Sequence, residues 1–218
     1  MIQAVIFDLD GTVLDNEGVW EEVFRAVARK SQIPIHKSQE WIHEPGIGIS
    51  PNWEKIIGQG KLADKLSKQT WEMYWQEIGN AANLPVREGL VELVEAIKSK
   101  GWQTALATGS NWNIVENELE QLSLYLAFDV TTTGEEILAQ KPDPEIYLLT
   151  SQKLGVDPQE CAVVEDSLAG VQAAAEAGMT VVGLTGPYAS HQELRKAGAK
   201  LQVDNLSEVM LGLGDHGS

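Results

Sequence analysis

The chain has 218 residues, and 16 Lys+Arg against 32 Asp+Glu give a formal net charge of −16. That length suffices for one large domain, or a domain carrying a smaller insertion, around a real core. The acidic excess excludes a broad nucleic-acid or anionic-membrane surface, since both partners are polyanions, but leaves room for an anionic small molecule met by a local cation or metal.

Ala4-Val5-Ile6-Phe7 is a short apolar run that stops at Asp8, with Asp10-Gly11-Thr12 as a turn behind it. A continuous apolar run of this length predicts a parallel strand covered on both faces. Residues 15–84 break the pattern. Segments 18–29 and 61–78 read as helices, no central strand lies between them, and Trp20, Trp41, Trp53, Trp71 and Trp75 are five of the seven tryptophans. The stretch reads as a helical insertion, with a loop at 45–51 expected to move at its glycines.

Beyond it, 88–100 places Leu90, Leu93, Val94 and Ile97 on one helical face and is closed by Gly101. Thr104-Ala105-Leu106-Ala107 is a second strand, Ala127-Phe128-Asp129-Val130 another, Ala162-Val163-Val164 a fourth and Thr180-Val181-Val182-Gly183-Leu184 a fifth. Helical patterns at 144–154 and 167–177 separate them. This alternation predicts an α/β fold, an open parallel sheet with helices on both faces, whose ligand site lies at the carboxyl ends of the strands. Residues 212–218 read as a frayed tail.

Cys161 is the single cysteine and sits in an apolar run, so no intramolecular disulfide is expected. The amino terminus lacks the pattern of a signal peptide, and no apolar run approaches the roughly 20 residues of a membrane span. A cytoplasmic protein is the expectation.

Four polar clusters fall at strand ends. In Asp8-Leu9-Asp10-Gly11-Thr12, two carboxylates two residues apart on an extended chain reach one ligand, and a cation relieves their repulsion. Magnesium suits such oxygen ligands; Asp8 is then a nucleophile and Asp10 a proton donor and later base. A solvated acidic turn is the alternative. Glu165-Asp166 can complete a divalent-cation site, or simply cap the helix that follows. Thr108-Gly109-Ser110-Asn111 can cradle an anion with hydroxyl and N–H groups, or be an ordinary loop and cap. Lys141-Pro142-Asp143-Pro144 places a lysine on a stiff loop, as a phosphoryl ligand or as a surface group.

In order, these clusters resemble the four motifs of the haloacid-dehalogenase superfamily. Phe7 to Thr12 is similar to the first, Leu106-Ala107-Thr108 to the second, Lys141 to Pro144 with Tyr147 to the third, and Val164 to Gly170 to the fourth. The resemblance spans residues 4–184 and implies a Rossmann-like core (1–14 and 86–218) with a helical cap (15–85). It implies a magnesium (Mg2+) phosphatase: Asp8 attacks phosphorus, Asp10 protonates the leaving oxygen and then activates water. Thr108, Gly109 and Lys141 hold phosphoryl oxygens; Asp8, the Asp10 backbone carbonyl and Asp166 hold the metal, with Glu165 assisting.

Relatives that are dehalogenases lack an acid matching Asp10, which favours phosphoryl-ester chemistry. β-Phosphoglucomutases share the cap type but carry a hinge histidine and an arginine where this chain shows Val19-Trp20-Glu21 and Ile49-Ser50-Pro51-Asn52-Trp53. A phosphatase is therefore expected ahead of a mutase or a non-catalytic phospho-ligand-binding regulator. The substrate is a small phosphorylated metabolite, a sugar phosphate or one like phosphoglycolate, and the assembly a monomer or weak dimer. Trp20 and Trp53 are the candidates to line the substrate pocket.

Overall fold

In the computed structural model, which describes residues 1–35, 41–78 and 85–214, the apolar runs become one sheet of six parallel strands. They are β1 (Ala4–Phe7), β2 (Gln103–Thr108), β3 (Val130–Thr133), β4 (Cys161–Glu165), β5 (Thr180–Leu184) and β6 (Leu201–Val203), in the order β3-β2-β1-β4-β5-β6. β1 is buried along its whole length because both faces are covered. Val5 and Phe7 point into one hydrophobic cluster with Leu106 and Val164, Ala4 and Ile6 into the other with Ala105 and Val163.

The helices follow from their stripes. α4 (Leu90–Ser99) buries Leu90, Leu93, Val94 and Ile97, as its spacing predicts. α5 (Trp112–Gln121) and α9 (Val209–Gly214) share that side, through Val115, Leu119, Val209 and Leu213. α6 (Glu145–Leu154), α7 (Leu168–Glu176) and α8 (His191–Ala197) cover the other, through Ile146, Val171 and Leu194. No helix among the described residues is long and apolar enough to cross a membrane.

Between β1 and α4 lie α1 (Glu17–Lys30), α2 (Ile49–Ile57) and α3 (Lys61–Ile78). α3 turns Ala63, Leu66, Thr70 and Tyr74 inward at three- and four-residue steps, onto Val23, Phe24 and Val27 of α1 and Trp53 of α2. Residues 36–40 and 79–84 of this stretch, and 215–218 of the expected tail, lie outside the described residues.

Two expectations shift, and one strand goes unread. The strand placed at 127–130 runs instead over Val130–Thr133, after a single 3-10 turn at Tyr125–Ala127. Phe128 makes the edge-on contact with Phe7, 5.9 Å between ring centroids, that anchors its entry. β3 is an edge strand and tolerates its threonines, so hydropathy marked the anchor and not the strand. The glycine- and proline-rich 45–51 loop gives way to α2 at Ile49, with Pro51 in the first turn, where a missing N–H costs nothing. β6, three residues long at the opposite edge, is too short to read from its pattern.

From β1 the chain steps outward through β2 to β3, then returns to the other side of β1 as β4. Connections leaving β1's two neighbours in opposite directions open a crevice at the carboxyl ends of these strands. Asp8, Thr108 and Glu165 stand there.

Candidate active site

At the floor of the crevice the Lys141 ammonium lies between two carboxylates, 2.5 Å from Asp8 Oδ1 and 2.6 Å from Glu165 Oε1. All three side chains are buried. Glu165 is saturated: Oε1 also accepts from the Tyr147 hydroxyl at 2.8 Å, and Oε2 from the Ser167 N–H and hydroxyl, both at 2.9 Å. Gly170 makes room for it, since a Cβ there would lie 1.6 Å from Glu165 Oε1. Asp166 leans the other way, accepting from Thr12 Oγ1 at 3.0 Å. Its carboxylate packs on Gly11, where a Cβ would come within 2.1 Å of Oδ2 and where φ is +82°.

Oxygens of Asp8, Glu165 and Asp166 lie within 4.8 Å of one another. Burial pushes the Asp8 carboxyl well above the usual range; Lys141 opposes this, and Glu165 and Asp10 add repulsion. Burial likewise raises Asp166, reinforced by Glu165, Glu17 and Asp8. For Lys141 burial works against the charge, but Asp8 and Glu165 outweigh it and hold the ammonium well above its ordinary value. One ammonium does not balance three buried carboxylates. Hard oxygen donors with excess negative charge fit a divalent cation such as magnesium.

Asp10 is held apart from this cluster. Its Oδ1 accepts from Asn16 Nδ2 at 2.6 Å and from the Trp20 indole at 2.8 Å, and its Oδ2 from Ser110 Oγ at 2.9 Å. Trp20 is fixed in turn by stacking on Tyr74, ring centroids 3.5 Å apart and ring planes nearly parallel. Tyr74 accepts from Asn16 at 2.7 Å and donates to the buried Glu118 of α5 at 2.8 Å. α1 thus reaches Asp10 directly, and α3 and α5 reach it through Tyr74.

Above the floor opens a cavity of about 370 Å³ lined by Asp8, Asp10, Trp20, Thr108, Gly109, Ser110 and, from the far side, Phe24, His43, Ile49, Ser67 and Trp71. The Ser110 N–H donates to Thr108 Oγ1 at 3.0 Å, which shapes the 108–111 turn. The structure brings Asp8, Asp10, Thr108, Gly109, Lys141, Glu165 and Asp166 together. Trp20 borders the cavity but directs its N–H to Asp10. Trp53 does not reach it: fully buried, it donates to Thr70 at 2.7 Å and packs on Phe24. Asn16 escaped the sequence reading, because a residue before a helix reads as a cap; here its side chain makes no capping bond.

A family model described as haloacid dehalogenase-like hydrolase matches residues 2–178. The phosphorylated carbohydrates phosphatase of Thermotoga maritima is 33% identical over 202 residues, 91% of this chain and 92% of that protein. The fructose-1-phosphate phosphatase of Escherichia coli is 31% identical over 189 residues, 82% of this chain and 94% of its own. Among solved structures, a β-phosphoglucomutase from Clostridium difficile superposes with a TM-score of 0.81 at 26% identity, covering 99% of this chain and 96% of that one.

Proposed function

The chain belongs to the haloacid dehalogenase-like hydrolases and is a phosphoric monoester hydrolase; from that premise we propose a magnesium-dependent phosphatase that acts on a small phosphorylated sugar or related metabolite through an aspartyl-phosphate on Asp8. The observation that carries this reading is the separation of two carboxylates from one motif. Asp8 sits at the floor beside Lys141, and Asp10 is turned toward the cavity by three donors.

Asp8 attacks phosphorus as the ester bond breaks, and the leaving oxygen takes its proton from Asp10. Asp10 then removes a proton from water as that water attacks the aspartyl-phosphate. Inorganic phosphate departs and both carboxylates return to their starting states. Lys141, the Thr108 hydroxyl and the Gly109 N–H hold the phosphoryl oxygens. Glu165 positions Lys141, since its oxygens are already engaged. Asp8 and Asp166, with the Asp10 carbonyl, would hold magnesium, which supplies charge neutralisation to Asp8 and the phosphoryl oxygens. Helices α1–α3 act as a cap that keeps bulk water and large substrates away.

Phosphate release from a panel of phosphorylated metabolites, with magnesium and with EDTA, tests the reading. Magnesium-dependent release that peaks on a sugar phosphate is expected. Conversion of β-glucose 1-phosphate to glucose 6-phosphate without free phosphate would contradict it and make the protein a mutase.

A further inference from the structure

The charges bordering the cavity select among phosphate esters. Lys141 is shared by Asp8 and Glu165 at the floor. His43 has Glu21 on Nδ1 and Glu17 on Nε2, both at 2.7 Å. Lys68, at the mouth, has Glu72 at 3.9 Å, and Lys55, just outside, has Glu44 at 2.5 Å. Every cation at or beside the cavity among the described residues already faces a carboxylate. Away from the floor, the lining presents Asp10, Glu17 and Glu44, together with Trp20, Phe24, Trp71 and Ile49 and small polar groups such as Asn111, whose side chain does not cap α5.

Among the described residues, a second anion on the substrate would enter this partly apolar space with no cation free of a carboxylate partner, beside Asp10, whose carboxylate meets neutral donors, in a protein of net charge −16. An uncharged body meets no such penalty. Its C–H faces suit the aromatic walls and its hydroxyls suit the polar groups. Resting on the phosphatase reading above, we propose that the preferred ester carries one phosphoryl group on an uncharged, hydroxyl-bearing carbon body, and that esters with a carboxylate or a second phosphate are rejected. Phosphoglycolate and sugar bisphosphates thereby fall outside the substrate class.

Glucitol 6-phosphate and 6-phosphogluconate test this directly, since they share a six-carbon chain and differ in one terminal carboxylate. Fructose 1-phosphate and fructose 1,6-bisphosphate repeat the comparison for a second phosphate, with 4-nitrophenyl phosphate as a reference ester. The neutral member of each pair is expected to show a kcat/KM at least about tenfold higher. Equal or higher kcat/KM for the charged member overturns the proposal while leaving the phosphatase reading intact. Lys68→Met is expected to leave the ratio within each pair unchanged; a wider ratio would show Lys68 serving as an anion clamp and would also overturn it. Absence of phosphate release from every ester, 4-nitrophenyl phosphate included, overturns the phosphatase reading and this proposal with it.

Discussion

Asp8 and Asp10 carry the same group two residues apart, and their neighbours give them different chemistry. Asp8 faces an ammonium and two further buried carboxylates, so its negative charge depends on cations. Asp10 meets only neutral donors, an indole, an amide and a hydroxyl, which orient it without neutralising it. The indole comes from Trp20 of α1. Trp20→Phe keeps the stacking on Tyr74 and removes one hydrogen bond from Asp10. Turnover of alkyl phosphates is expected to fall by about tenfold, a fraction of the full general-acid contribution, with KM within about twofold of wild type. A rise in KM with kcat unchanged would mean that Trp20 only lines the cavity.

At the scale of elements, the segment from Trp41 to Gly48 works as a strap. Glu21 accepts the backbone N–H groups of Ile42 and His43, and the His43 ring bridges Glu21 and Glu17, one helical turn apart on α1. Trp41 packs on Tyr188 at 4.1 Å, and Gly46 lies so near α7 that a Cβ would sit 2.3 Å from Ser167 Oγ. The strap thus ties α1 to the catalytic strand ends. Burial opposes the His43 charge, but its hydrogen bonds to Glu17 and Glu21 outweigh it and raise the pKa from 6.5 to about 9. Because the folded value is the higher one, the paired imidazolium stabilises fully below pH 6.5, and that contribution is lost as pH rises through about 9. Wild type should therefore exceed His43→Gln in Tm near pH 6.5, with the gap closing toward about pH 10. A gap independent of pH would mean that the ring is held neutral.

Elements with strong patterns were legible before the structure. The buried strands β1, β2, β4 and β5 are continuous apolar runs because both faces are covered, and three of the four motifs sit where such a run ends, the Lys141 motif lying instead between β3 and α6. The strap was not legible, because a lone histidine in a polar loop has no periodicity and its partners lie 22 and 26 positions away. Glu165 read as a ligand or a cap. Only the folded arrangement places Lys141, Tyr147 and Ser167 on its oxygens.

Taken as a whole, the molecule sets a strongly acidic chain around the crevice that holds Lys141, Asp8 and Thr108. Overall charge repels polyanions and slows anionic substrates, so the phosphate binding proposed above calls for local compensation at the floor, where Lys141 lies among the buried carboxylates. The parallel sheet makes this possible by bringing β1, β2 and β4 to one crevice from distant parts of the chain. Asp10, held by Asn16 and Trp20, joins α1 to the strand ends beside the cavity.

The covalent step is tested most directly with Asp10→Asn and 4-nitrophenyl phosphate in the presence of magnesium. That leaving group needs no proton, so Asp8 can still be phosphorylated, while the missing base leaves the intermediate to accumulate. Mass spectrometry is expected to find one phosphoryl group on the peptide containing Asp8, with a matching burst of nitrophenolate, and neither in Asp8→Asn. Sustained turnover by Asp8→Asn, or phosphate release with Asp8 never modified, would contradict the account.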